Sequence, residues 1–195
     1  MKVRKLTRYE DISNRQCRVI YIRTEFFLAK IIDISTFFEK GLKKMGRKEI
    51  RNTQSTIAHL ELENLKNKLS GNFSYSISHS HQYTCFVITK YKRIGVDIEK
   101  NRWEKSRELF LCANERKLLQ EVKRGFTFFW TLKESIYKSF FKSNYQISNI
   151  CISSFDEELV QSKIKYVGGK EVEKELNFFS TVIGAFVFSV VISLD

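Results

Sequence analysis

Apolar residues along this chain follow two rhythms. Over residues 18–34 (RVIYIRTEFFLAKIIDI), β-branched and aromatic side chains crowd together, which predicts a strand followed by a second strand or a short helix. Over residues 36–69 the spacing lengthens. Phe37, Phe38, Leu42 and Met45, then Ile50, Ile57, Leu60, Leu62 and Leu65, recur near the helical period. Gly41 and Gly46 punctuate that region, and Ser70-Gly71-Asn72 predicts the turn that closes it. Short strands follow at residues 75–78, 83–89 and 94–98, with His79-Ser80-His81 as a polar corner after the first. Helical spacing returns over residues 107–110, 114–122 and 127–141. Beyond Ser143 the pattern reverts to strands at residues 147–153 and 161–167, with two more at the C-terminal end.

Strands that come in runs, rather than alternating one-for-one with helices, predict an α+β fold. Residues 178–194 (FFSTVIGAFVFSVVISL) carry no charge, but Ser180, Thr181, Gly184, Ser189 and Ser193 interrupt them. The run falls short of the ~20 residues that span a bilayer. Its Val, Ile and Phe content predicts a buried strand pair with a turn or bulge at Gly184, and no membrane partner.

Composition sharpens this picture. The chain has 195 residues, 43% hydrophobic and 29% charged, enough to bury a core. Proline is absent and only eight glycines occur, so any two halves are joined without a flexible linker. We expect a division at residues 1–90 and 91–195. The first residues lack the apolar stretch of a signal peptide. Cys17, Cys85, Cys112 and Cys151 are isolated, with no CxxC pair and no histidine at metal-ligand spacing. They read as reduced, packed thiols of a cytoplasmic protein and argue against zinc. A net charge of +12, spread along the chain, favours an anionic partner.

Three segments carry candidate chemistry. In Gly95-Val96-Asp97-Ile98-Glu99 the two acids project from one face of a strand, and carboxylates held that close favour a hard divalent cation between them. In Trp130-Thr131-Leu132-Lys133-Glu134-Ser135-Ile136-Tyr137-Lys138, Glu134 and Lys138 share a helix face with Lys133 beside them. A third carboxylate and two ammonium groups could complete a metal–phosphate site. Ser76-Ile77-Ser78-His79-Ser80-His81 offers hydroxyls and imidazoles to phosphate oxygens. Singly, each segment also reads as ordinary surface.

Together and in this order, SISHS, GVDIE and WTLKESIYK resemble the Sfp-type 4′-phosphopantetheinyl transferases, and Phe110-Leu111 with Glu115 resembles that family's helix entry between the last two motifs. GVDIE at mid-chain resembles the longer, monomeric type, built of two similar α/β halves with the active site between them. The resemblance implies that the 4′-phosphopantetheine arm of coenzyme A passes to a serine of an acyl or peptidyl carrier protein, releasing 3′,5′-ADP. It implies Mg²⁺ (or Mn²⁺) on Asp97, Glu99 and Glu134. Glu134 would act as the base, directly or through a water, with Lys133 and Lys138 on the phosphate charge. Ser78 and His79 would meet the phosphates from the other side, and Arg47, Lys48 and Arg51 the nucleotide end. Gln54-Ser55-Thr56 stand where the family carries a further arginine. Carriers of this kind are acidic, which suits the positive charge. Two rivals remain at the level of residues. One is a metal-dependent nuclease, although Lys100 directly follows Glu99 where an E-x-K spacing is expected; the other is a non-catalytic basic binding module.

Overall fold

A computed structural model describes residues 3–38, 46–101, 110–121, 125–140, 146–157, 162–167 and 173–194. The side chains of residues 155–157, 162–167 and 173 are not described. The expected helix at residues 107–110 lies largely outside these residues, as do Gly41, Leu42 and Met45.

The fold is α+β. Strands β1 (Arg4–Ile12), β2 (Arg15–Arg23), β3 (Leu28–Asp33), β4 (Ser74–Ser80) and β5 (Tyr83–Thr89) form one antiparallel sheet in the order β1-β2-β3-β5-β4. Strands β6 (Arg93–Lys100), β7 (Cys151–Glu157), β8 (Ser162–Val167), β9 (Glu173–Ile183) and β10 (Phe186–Ser193) form a second, in the order β6-β10-β9-β8-β7. Helix α1 (Arg47–Lys66) serves the first sheet; α2 (Ala113–Glu121) and α3 (Phe126–Phe140) serve the second.

Strand alternation explains the layering. Ile20, Ile22, Ala29, Ile31, Cys85 and Val87 of the first sheet share one core with Ile94, Val96, Ile98, Phe188, Val190 and Ile192 of the second. The intervening residues turn outward to the helices. Val19 and Ile32 meet Ile57 of α1, and Phe86 and Ile88 meet its Leu62. On the far side, Phe128, Phe129, Leu132 and Ile136 of α3 pack with Leu176, Phe178 and Val191. The order is helix, sheet, sheet, helix. The apolar stretch at residues 178–194 supplies much of β9 and all of β10, turning at Gly184 with φ 59°. No described helix is long and apolar enough to cross a membrane.

One strand goes beyond the expectations, and two expectations need correction. Residues 4–12, to which the hydrophobic pattern assigns no element, form β1, an exposed edge strand. His79 and Ser80 belong to β4, and the corner falls at His81, whose φ is 53°. Cys112 and Cys151 are not isolated thiols. They form a disulfide across 39 residues, because the fold brings the approach to α2 against the start of β7. Cys17 and Cys85 remain free and buried.

Candidate functional site

The site begins with a side-by-side meeting of β4 and β6. Ser76, Ser78 and Ser80 alternate along β4, so their hydroxyls share one face. Ser76 Oγ accepts from the Val96 N–H (3.2 Å) and Ser78 Oγ from the Ile98 N–H (3.4 Å). Ser78 Oγ donates to Asp97 Oδ1 (2.7 Å) and Ser80 Oγ to Glu99 Oε2 (2.9 Å). The seam between the sheets is thus stitched by hydroxyls, and the same hydroxyls orient both acids of GVDIE.

Val96 and Ile98 point into the shared core, so Gly95, Asp97 and Glu99 lie on the other face, toward α3. Gly95 is where the helix crosses. A Cβ there would stand 1.9 Å from the Ser135 carbonyl oxygen and 2.5 Å from Ser139 Oγ. Only glycine permits this approach. Through it Lys138 Nζ reaches Asp97 Oδ1 (2.8 Å), Ser78 Oγ (3.1 Å) and the Val96 carbonyl (3.1 Å).

The electrostatics follow from this geometry. Burial pushes the Glu134 carboxyl up to about 7; Asp97 and Glu99 add to the rise, while Lys138 opposes it. Burial acts against the Lys138 charge, but Asp97 and Glu134 outweigh it and hold its pKa above the usual lysine value. Asp97 is 4% exposed, and its Oδ2 is buried without a hydrogen-bond partner. A buried carboxyl oxygen left in that condition invites a donor or a cation. Among the described residues, Cys112, Glu115 and Cys151 are the group whose three ligand atoms lie within 4.8 Å of one another, but those cysteines are already bonded together. Asp97, Glu99 and Glu134 stand more loosely than this, yet close enough for the first two to raise the third.

Beside Glu99 opens a cleft of about 670 Å³, lined by Arg47, Lys48, Ile50, Arg51, Gln54, His79, Ser80 and His81. The cations stand on the first turns of α1, whose N–H groups also favour anions. Burial and the nearby Arg51 lower the His79 pKa, so its imidazole is neutral at neutral pH. Gln54 is 2% exposed and donates to the His81 (2.7 Å) and Tyr83 (3.3 Å) carbonyls, fixing the β4–β5 turn. A smaller recess of about 240 Å³ joins Glu99 to Phe110, Phe126 and Trp130.

The structure therefore gathers Ser78, Asp97, Glu99, Glu134 and Lys138, with Arg47, Lys48, Arg51 and His79 along the adjoining cleft. It does not bring Lys133 there. Its ammonium is fully buried, donating to Glu115 Oε2 (2.9 Å) and the Phe110 carbonyl (2.8 Å). Successive helical residues point about 100° apart, so a neighbour of Glu134 faces elsewhere while Lys138, one turn on, does not. The sequence reading missed two parts: the role of Ser76 and Ser80 in the seam, and Glu115 as partner of Lys133. The two-residue spacing of the serines was the available signal for the first.

The model of the 4′-phosphopantetheinyl transferase superfamily matches residues 93–191, about half of the chain, spanning GVDIE and the α3 motif. None of the curated proteins matches the chain.

Proposed function

Because the chain belongs to the 4′-phosphopantetheinyl transferase superfamily, whose members transfer phosphopantetheine, we propose that it is an Sfp-type enzyme. It moves the arm of coenzyme A onto a serine of an acidic acyl or peptidyl carrier protein. The carrying observation is the seam site: Asp97 and Glu99 held by β4 hydroxyls, opposite Glu134 and Lys138 of α3, at the mouth of a cationic cleft. We further propose that the protein acts as a cytoplasmic monomer, divided at residues 1–90 and 91–195.

The residues fit a divalent cation. All three candidate ligands are hard oxygen donors, Asp97 Oδ2 lacks a partner, and a cation would offset both the burial that raises Glu134 and the neighbouring acids that add to it. Asp97, Glu99 and Glu134 would hold Mg²⁺, with Mn²⁺ a competent substitute. When bound, the ion supplies charge stabilisation to the pyrophosphate oxygens during transfer.

The chain's own residues do the rest. Arg47, Lys48 and Arg51 seat the anionic nucleotide end in the cleft. Lys138 and neutral His79 contact the pyrophosphate from opposite sides and fix its orientation. The carrier serine oxygen bonds to the β-phosphorus, the bond to 3′,5′-ADP breaks, and the serine proton passes toward Glu134. A carboxylate that holds a cation has a lowered proton affinity, so the proton reaches Glu134 directly or through a water. Phosphoryl transfer needs mainly such positioning and charge. Ser78 serves by aiming Asp97, and Lys133 by anchoring α3 to Glu115.

The test is to incubate the protein with an apo-carrier protein, coenzyme A and Mg²⁺ and weigh the carrier. We expect a gain of about 340 Da, the mass of the transferred arm, abolished by chelation. Asp97→Asn should cut the rate roughly a hundredfold or more while leaving the fold intact. Carriers of every type left at apo mass would refute the reading.

A further inference from the structure

Glu115 and Lys133 form an ion pair with no exposed surface on either side chain. Such a pair persists only when its remaining donors and acceptors are also bonded. Glu115 Oε2 accepts from the Cys112 N–H (2.8 Å) as well as from Lys133, and Oε1 accepts from the Ile152 N–H (2.9 Å). One backbone donor belongs to Cys112 itself; the other directly follows Cys151. Both therefore sit at the ends of one covalent bond, the Cys112–Cys151 disulfide. Asn114 Nδ2 ties the same junction, donating to the carbonyls of Ile152 (3.0 Å) and Ser153 (2.6 Å). Lys133, gripped by this cage, is the residue before Glu134 on a single helix that also carries Lys138.

We propose that the Cys112–Cys151 disulfide is a redox-sensitive clasp on the transfer site: closed, it holds the cage that fixes how α3 is turned, and opened, it slows transfer far more than it weakens coenzyme A binding. The proposal rests on the assignment of Glu134 and Lys138 to the site. Both cysteines are only partly buried, within reach of small thiols. A thiolate attacks one sulfur and the other leaves as a thiolate that takes a proton. A second thiol then displaces the mixed disulfide. Two protein thiols form, and two molecules of a monothiol are oxidised to their disulfide. With the sulfurs free to separate, the two N–H donors are no longer tethered across Glu115. Lys133 then loses its fixed partner, and the carboxylate beside it shifts. Arg47, Lys48 and Arg51, which seat the nucleotide end, stand on α1 outside this network, so cofactor affinity suffers less than transfer.

The experiment compares the full chain oxidised with glutathione disulfide, the same chain reduced with a phosphine, and the double variant C112A/C151A. Thiol titration should count two free cysteines in the oxidised form and four in the reduced form. We expect kcat to fall roughly tenfold on reduction, with KM for coenzyme A changed far less. The double variant should match the reduced form and ignore redox conditions. Amide hydrogen exchange across residues 126–140 should quicken in both. Equal kcat and equal exchange in the two thiol states would overturn the clasp, as would a double variant as fast as the oxidised protein. If even the oxidised protein moves no arm, the functional assignment fails. Exchange across α3 then decides the clasp without it.

Discussion

At the scale of single residues, Gly95 is the tightest constraint. The peptide at Ser135 occupies the space where any larger residue would put its Cβ. Gly95→Ala should push α3 off β6, costing about 1–3 kcal/mol of stability by overpacking and removing most activity, because Lys138 no longer reaches Asp97. Thermal melts and a rate assay on the same variant check both effects. Much of this was legible in advance: the two-residue spacing of Asp97 and Glu99, and the four-residue spacing of Glu134 and Lys138, both gave the correct face. Lys133 was not legible, since its direction depends on Glu115 and Phe110, which no local spacing reveals.

Among elements, β1 shows why pattern reading has blind spots. Its residues are exposed on both faces from Arg4 to Tyr9, so no apolar alternation marks it. Polar tertiary links hold it instead. Glu10 accepts from Lys30 (2.9 Å) and Tyr21 (2.8 Å), and Lys30 in turn pairs with Glu61 of α1, joining β1, β2, β3 and α1. Burial alone would raise the Glu10 pKa, but hydrogen bonds from Lys30 and Tyr21 outweigh it and leave it lowered. A carboxylate lowered in the folded state contributes stability that is present above its unfolded pKa. That contribution is lost as pH falls through the folded value. Acid titration of stability should therefore be flatter in Glu10→Gln than in the native chain. At neutral pH the variant should be less stable by roughly 1–3 kcal/mol. Parallel melting curves from neutral pH down through the carboxylate range test the sign. Helix α1 and the C-terminal strands were legible, because long periodic or β-branched runs leave little choice of element. The Cys112–Cys151 bond was not, since a sequence separation of 39 hides the approach of α2 to β7.

For the whole molecule, a net charge of +12 acts at distances no contact reaches. Steering of an acidic carrier should make kcat/KM fall steeply between low and physiological salt, mostly through KM for the carrier. A salt series with carrier as the varied substrate tests this, and a flat profile would place recognition in short-range contacts alone. The α+β class was legible from the order of runs along the chain. The packing of the two sheets on a common core was not, because alternation within one strand does not say which sheet its apolar face will meet.

The row of serines that joins β4 to β6 makes cohesion of the halves and occupancy of the site a single equilibrium. Anything that settles on Asp97 and Glu99 also steadies the two edges that carry them, so loading becomes readable as heat resistance. Saturating Mg²⁺ with coenzyme A at a hundredfold above its Kd should add about 2.7 kcal/mol to unfolding, an upward move in Tm of several degrees. Ser76→Ala, which touches neither acid, should lower the melting point of the empty protein and leave that increment in place.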